Sequence, residues 1–86
     1  MTYHYITHGT CSRAVDVEIE GGVVRNVRFV GGCNGNTQGI ARLVTGRPVD
    51  EVISLLSGIP CNGRPTSCPD QLARALRQAQ EDSDGI

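Results

Sequence analysis

Four cysteines, Cys11, Cys33, Cys61 and Cys68, carry the chemistry that this sequence offers. No two of them form a Cys-x-x-Cys pair, so zinc-ribbon spacing is absent. Cys68 is the most informative, because it sits within Thr66-Ser67-Cys68-Pro69-Asp70. That run reads as a helix start. Pro69 suits the first helical position, and Asp70 puts negative charge in the first turn, where the helix dipole favours it. Cys68 then falls at or beside the N-cap, facing backbone N–H groups that have no helical partner. Both the N–H groups and the dipole favour a thiolate, the form that binds metals and attacks electrophiles. A plainer alternative makes Cys68 a small helix-start residue, with Ser67 or Thr66 as the cap.

The other three cysteines sharpen the question. Cys11 follows the first strand-like segment, Cys33 stands between a strand and a helix, and Cys61 lies in the loop before the last helix. Buried structural cysteines usually sit on an apolar stripe; these four are all at junctions, where Gly, Pro, Asn or Ser lets the backbone turn a thiol toward a common point. Three chemistries fit: a thiolate site for Zn²⁺ or an iron–sulfur cluster, thiol redox chemistry with Cys61 resolving Cys68, or a structural role as disulfides or plain thiols. His4 and His8, on one face of the first strand and near Cys11 in sequence, offer a fourth ligand or a proton. The run Gly31-Gly32-Cys33-Asn34-Gly35-Asn36 offers N–H groups to an anion or, more simply, a tight turn that presents Cys33. It fits no P-loop or dinucleotide fingerprint. No Ser-His-Asp order, catalytic carboxylate pair or His-Glu-x-x-His motif supports a hydrolase.

The elements that must position these residues are legible as strands, then helices. Tyr3 to Thr7 reads as a short strand, and Gly9 to Arg13 as a loop. Val15, Val17 and Ile19 alternate with Asp16, Glu18 and Glu20, the pattern of a half-buried strand. Gly21-Gly22 signals a hairpin turn. Val23 to Val30 returns, with Val23, Val27, Phe29 and Arg25 on one face and Val24, Asn26, Arg28 and Val30 on the other. Thr37 to Thr45 reads as a helix with Ile40, Leu43 and Val44 on one side and Gly46 as its stop. Val49, Val52, Ile53 and Leu56 predict a second helix. Leu72, Ala75, Leu76 and Ala79 predict a third, fading into the polar tail at 81–86. The order predicts an α+β fold, with an antiparallel sheet of about three strands and three helices packed on one face. The organisation is a single domain over residues 1–80 plus the tail.

The totals agree with a small, marginal domain. Eighty-six residues with 38% apolar content, one Phe, two Tyr and no Trp bury only about 60–65% of the unfolded surface. Such scaffolds often add a metal, disulfides or a second copy, and a homodimer is compatible with the thin core. A net charge of -1, with scattered Arg as the basic residues, gives no nucleic-acid footprint. No apolar run spans a membrane, and the start of the chain lacks a signal-peptide pattern, so the expected compartment is the cytoplasm, where structural disulfides are uncommon.

Thr66-Ser67-Cys68-Pro69-Asp70, the Gly31-Gly32-Cys33-Asn34-Gly35-Asn36 run and one cysteine in each of four segments resemble the small bacterial four-cysteine proteins of the TSCPD family, from about Tyr3 to Ala79. The family's cysteine pattern is suggestive of metal binding. Its namesake domain also occurs near the C-terminus of some adenosylcobalamin-dependent ribonucleotide reductases. The resemblance thereby implies an accessory role linked to deoxyribonucleotide synthesis, with a larger reductase or a nucleotide as partner. The chain itself is too short to be such a reductase. More distantly, the order of elements looks like the U-type iron–sulfur cluster assembly scaffold, whose three cysteines correspond by position to Cys11, Cys33 and Cys68. The stretch Val27-Arg28-Phe29-Val30-Gly31-Gly32-Cys33, with a helix ending Val44-Thr45-Gly46-Arg47, is similar to the scaffold's strand–Gly-Cys–helix segment. Two positions depart from it: Arg13 stands where the scaffold has Asp, and Ser67 where it has His. Cys61 is an extra thiol available as a ligand.

Overall fold

A computed structural model describes residues 2–10, 12–31, 34–60 and 66–84, with the side chains of 34–36, 83 and 84 set aside. Strands β1 (Thr2–Ile6), β2 (Ser12–Glu20) and β3 (Val23–Gly31) are followed by helices α1 (Asn34–Val44), α2 (Val49–Leu56) and α3 (Cys68–Asp84). The strands form an antiparallel meander in the order β1-β2-β3. Gly21 and Gly22, with φ of 61° and 76°, make the turn between β2 and β3. Two successive positive φ values are what the hairpin's twist requires there, and glycine supplies them without steric cost.

Two bulges set which side chains face the helices. Ser12 pairs with Gly31 but Ala14 with Val30, so Arg13 is an extra residue on β2; Glu18 pairs with Asn26 but Ile19 with Val24, so Arg25 is an extra residue on β3. A bulge reverses the alternation beyond it. Val24 therefore joins Val27 and Phe29 on the inner face, and the face assignment expected from simple alternation fails between Val24 and Val27. The other bulge, at Arg13, lies within β2, so Ser12 and Arg13 belong to the strand where a loop was expected.

The core lies between one face of the sheet and the helices. Val15, Val17, Val24 and Val27 meet Val44, Val49, Val52, Ile53, Leu72, Ala75, Leu76 and Ala79. The fold is thus α+β, with three antiparallel strands and three helices on one side. Helix α1 begins at Asn34, three residues before the expected start at Thr37, because Asn34, Gly35 and Asn36 have weak helix propensity and no apolar period to reveal them. Leu43 does not face inward. It is 69% exposed, because Val44, Ile40 and Ala41 take the inner face instead. The turn after α1 is tied to β3: Gly46 N–H donates to Val24 O at 2.7 Å and Val24 N–H to Arg47 O at 3.0 Å. Helix α3 continues to Asp84, past the last apolar residue of its stripe, Ala79.

Candidate metal centre

The start of α3 is built by hydroxyl and carboxyl groups. Ser67 O accepts from Gln71 N–H at 2.8 Å, closing the first helical turn, and Ser67 Oγ accepts from Asp70 N–H at 3.2 Å. Ser67 is therefore the N-cap, Cys68 the first helical residue and Pro69 the second, one step later than Pro69's preference suggested. The serine hydroxyl reaches the third N–H of the helix, as capping serines do. Its own proton goes to Ile59 O at 2.6 Å, which ties the segment after α2 to the start of α3.

Asp70 is the hub of this arrangement and is 3% exposed. Its Oδ1 accepts from Gly58 N–H at 2.6 Å. Its Oδ2 accepts from the Thr66 hydroxyl and from Arg74 Nε at 3.0 Å. Burial alone would raise the carboxyl's pKa. The Thr66 hydroxyl, the Gly58 N–H and the Arg74 guanidinium outweigh it and hold the group below the ordinary carboxylate range. The carboxylate thus ties the end of α2, the approach to α3 and the first turn of α3 together.

Gln71, also buried, carries the link to the sheet. Its Nε2 donates to Thr66 Oγ1 at 2.9 Å, and its Oε1 accepts from His8 N–H at 3.0 Å. The loop from His8 into β2 is then drawn onto the motif. Gly9 packs so close to Thr66 that a Cβ there would lie 2.9 Å from Thr66 Cγ2, and its φ is 74°. Thr7 Oγ1 donates to Ser12 O at 2.7 Å, and the hydroxyls of Thr10 and Ser12 lie 2.9 Å apart. The chain of contacts ends on the thiol: Cys68 Sγ is 3.4 Å from Ser12 Oγ.

Of the four cysteines, Cys68 is half-buried at this point, and Cys11, Cys33 and Cys61 lie outside the described residues. Their chain neighbours are described. Ser12, next to Cys11, touches Cys68. Gly31, two residues before Cys33, pairs with Ser12 in the sheet. Ile59, two residues before Cys61, is hydrogen-bonded to Ser67. The histidines are placed differently from expectation. His8 falls after β1 rather than on it, and its backbone serves Gln71. His4 pairs with Asp16 across the strands, on the sheet face opposite Tyr3 and Tyr5, which pack on the core; it is not brought to Cys68. Among the described residues, no group of three His, Cys, Asp or Glu side chains is set to share one ion.

The sequence profile of the TSCPD domain matches residues 1–80. The chain belongs to the TSCPD-domain family. No curated protein and no solved structure matches it. Within this TSCPD domain, the namesake residues divide their work. Thr66, Ser67 and Asp70 spend their polar atoms on holding the helix start, which leaves Cys68 as the motif residue with a group suited to a soft ligand. Sequence reasoning missed Gln71, Ser12, Thr7 and Gly9. Gln71 is a polar residue on the buried face of α3, and nothing in an apolar period marks such a position. Gly9 stood in plain view as a loop glycine, but its contact with Thr66 is a long-range fact. Among the described residues, no helix is long and apolar enough to cross a membrane.

Proposed function

We propose that this TSCPD domain binds a metal centre, Zn²⁺ or an iron–sulfur cluster, through the thiolates of Cys11, Cys33, Cys61 and Cys68. The observation that carries the reading is the contact set Gly31–Ser12–Cys68 and Ile59–Ser67. It joins, at one end of the molecule, positions within one or two residues of every cysteine in the chain. A four-sulfur donor set suits tetrahedral Zn²⁺ or an iron–sulfur cluster and is poorly matched to hard cations such as Mg²⁺ or Ca²⁺. Zinc would add stability to a domain with a thin core; a cluster would add electron transfer or serve as cargo, as the likeness to U-type scaffolds suggests. Thiolate ligands persist in a reducing compartment such as the cytoplasm, the location this reading implies.

The test is elemental analysis and an ultraviolet–visible spectrum on protein purified without oxygen and without a metal-binding tag. Stoichiometric zinc without colour, or iron with sulfide and a brown colour, is the expected result, and replacing the cysteines by serine, singly and together, removes it. Metal retained at the wild-type level in all the Cys→Ser variants sinks the proposal. Metal-free protein with four titratable thiols does so too. A reversible Cys61–Cys68 disulfide would then make it a thiol redox protein, and nucleotide or reductase binding an accessory module.

A further inference from the structure

We propose that the Ser12 hydroxyl is a positioning residue for the centre, donating a hydrogen bond to the metal-bound sulfur of Cys68; this rests on the metal-binding reading above. Ser12 is 4% exposed, and its Oγ lies 3.4 Å from Cys68 Sγ, within range for a hydrogen bond to sulfur. As the two groups are placed here, the thiol donates and the serine oxygen accepts. A coordinated sulfur carries no proton, so the contact survives metal binding only if it runs the other way, from Ser12 O–H to sulfur.

The surroundings of Ser12 permit that reversal without moving the backbone. Thr10 Oγ1 is 2.9 Å from Ser12 Oγ, and either hydroxyl can be the donor. When Ser12 turns its proton toward sulfur, the Thr10 proton fills the lone pair that the Cys68 thiol has vacated. Thr7 Oγ1 is a second acceptor for the Ser12 proton, but at the longer distance of 3.5 Å, and its own hydroxyl proton is directed at Ser12 O at 2.7 Å. The same bond, with the pairing of Ser12 and Gly31, fixes the serine backbone so that Oγ stays against the sulfur. A hydrogen bond to a coordinated thiolate draws charge from the sulfur and fixes its orientation. Outer groups of this kind tune metal affinity and, in clusters, reduction potential.

Cobalt(II) titration of the reduced, full-length chain separates this inference from the one it rests on. Wild type is expected to develop thiolate-to-cobalt charge-transfer absorption. Ser12→Ala is expected to bind cobalt about 10-fold more weakly, with the charge-transfer band displaced, and Ser12→Thr, which keeps the hydroxyl, to recover both. Wild-type affinity and an unshifted band in Ser12→Ala overturn the role of Ser12 and leave the metal site standing. Absence of cobalt–thiolate absorption in wild type overturns both. Should Ser12→Ala fail to fold, the cadmium-113-loaded wild-type protein decides. Coupling between the metal and the Ser12 hydroxyl proton supports the bond, and that proton resolved without coupling refutes it.

Discussion

Asp70→Asn is the most demanding perturbation of the helix start, because it keeps shape and removes only charge and one acceptor. Asparagine retains a carbonyl oxygen for the Gly58 N–H that Oδ1 now accepts. Its amide nitrogen then replaces Oδ2, which accepts from both the Thr66 hydroxyl and Arg74 Nε. The buried Thr66 hydroxyl loses its acceptor, a hydrogen bond to a charged group worth about 1.5–3 kcal/mol. Arg74 is 57% exposed, so its pairing adds only about 0.5 kcal/mol. The sum, about 2–3.5 kcal/mol, converts to melting temperature through roughly 2.1 cal/mol/K of unfolding entropy per residue. Over 86 residues that entropy is about 0.18 kcal/mol/K, so the melting point should fall by about 11–19 °C. The pH dependence gives a second reading. The carboxyl's folded pKa lies below its unfolded value of 3.8, so its stabilisation is fully present above that value and is lost as pH falls through the folded one. The variant cannot lose what it lacks, so its deficit relative to wild type should narrow below about pH 4. Urea denaturation of both proteins at pH 7, 5 and 3, with the same chelator throughout, measures this. An unchanged midpoint at pH 7, or a deficit that stays constant down to pH 3, refutes the hub role assigned to Asp70.

Two further substitutions probe the packing around the same point. Gly9→Ala places a methyl group 2.9 Å from Thr66 Cγ2 at a φ of 74°, a combination that should destabilise by about 1–3 kcal/mol; a melting point equal to wild type would show that the loop is not held against Thr66. Leu76→Ala empties a fully buried position in the core and should lower unfolding free energy by about 2–5 kcal/mol in chemical denaturation, a loss below 1 kcal/mol being evidence that α3 does not pack on the sheet as described.

The fold was legible wherever burial follows a period. Val15, Val17 and Ile19 in β2, Val49, Val52 and Ile53 in α2, and Leu72, Ala75, Leu76 and Ala79 in α3 are all inner-face residues read directly from spacing. The failures have local causes. The bulge at Arg25 reverses the face of Val24, and nothing about an isolated arginine in a strand announces a bulge. Leu43 matches the helical period but loses the inner face to Ala41 and Val44, a choice made by the partner surface and not by the helix. At the site, the helix start was visible in Ser67, Pro69 and Asp70 because capping is a short-range matter. The partners of those residues were not. Ile59, Gly58, His8 and Ser12 reach the motif across 8, 12, 63 and 56 residues of sequence respectively, and hydrogen bonds of that span leave no periodic trace.

The division between the two ends of the molecule explains why a polar motif can be the fixed point of so small a domain. The apolar cluster of valines, alanines and leucines supplies the driving force but little geometric definition, since aliphatic side chains tolerate repacking. Six of the seven buried polar residues among those described, Thr7, Ser12, Thr66, Ser67, Asp70 and Gln71, lie instead in the segments that meet at Cys68, Thr37 of α1 being the other, and among the described residues no buried side-chain nitrogen or oxygen lacks a partner. A satisfied polar network is directional: each bond sets an angle as well as a distance, and leaving one group unmade costs about 1–3 kcal/mol. Such a network contributes modestly to net stability but sharply penalises alternative positions of the groups it holds. That is the property a multi-thiolate site needs. In the proposed centre the ligands would come from distant segments, and the metal would have to find them near one another before it could hold them.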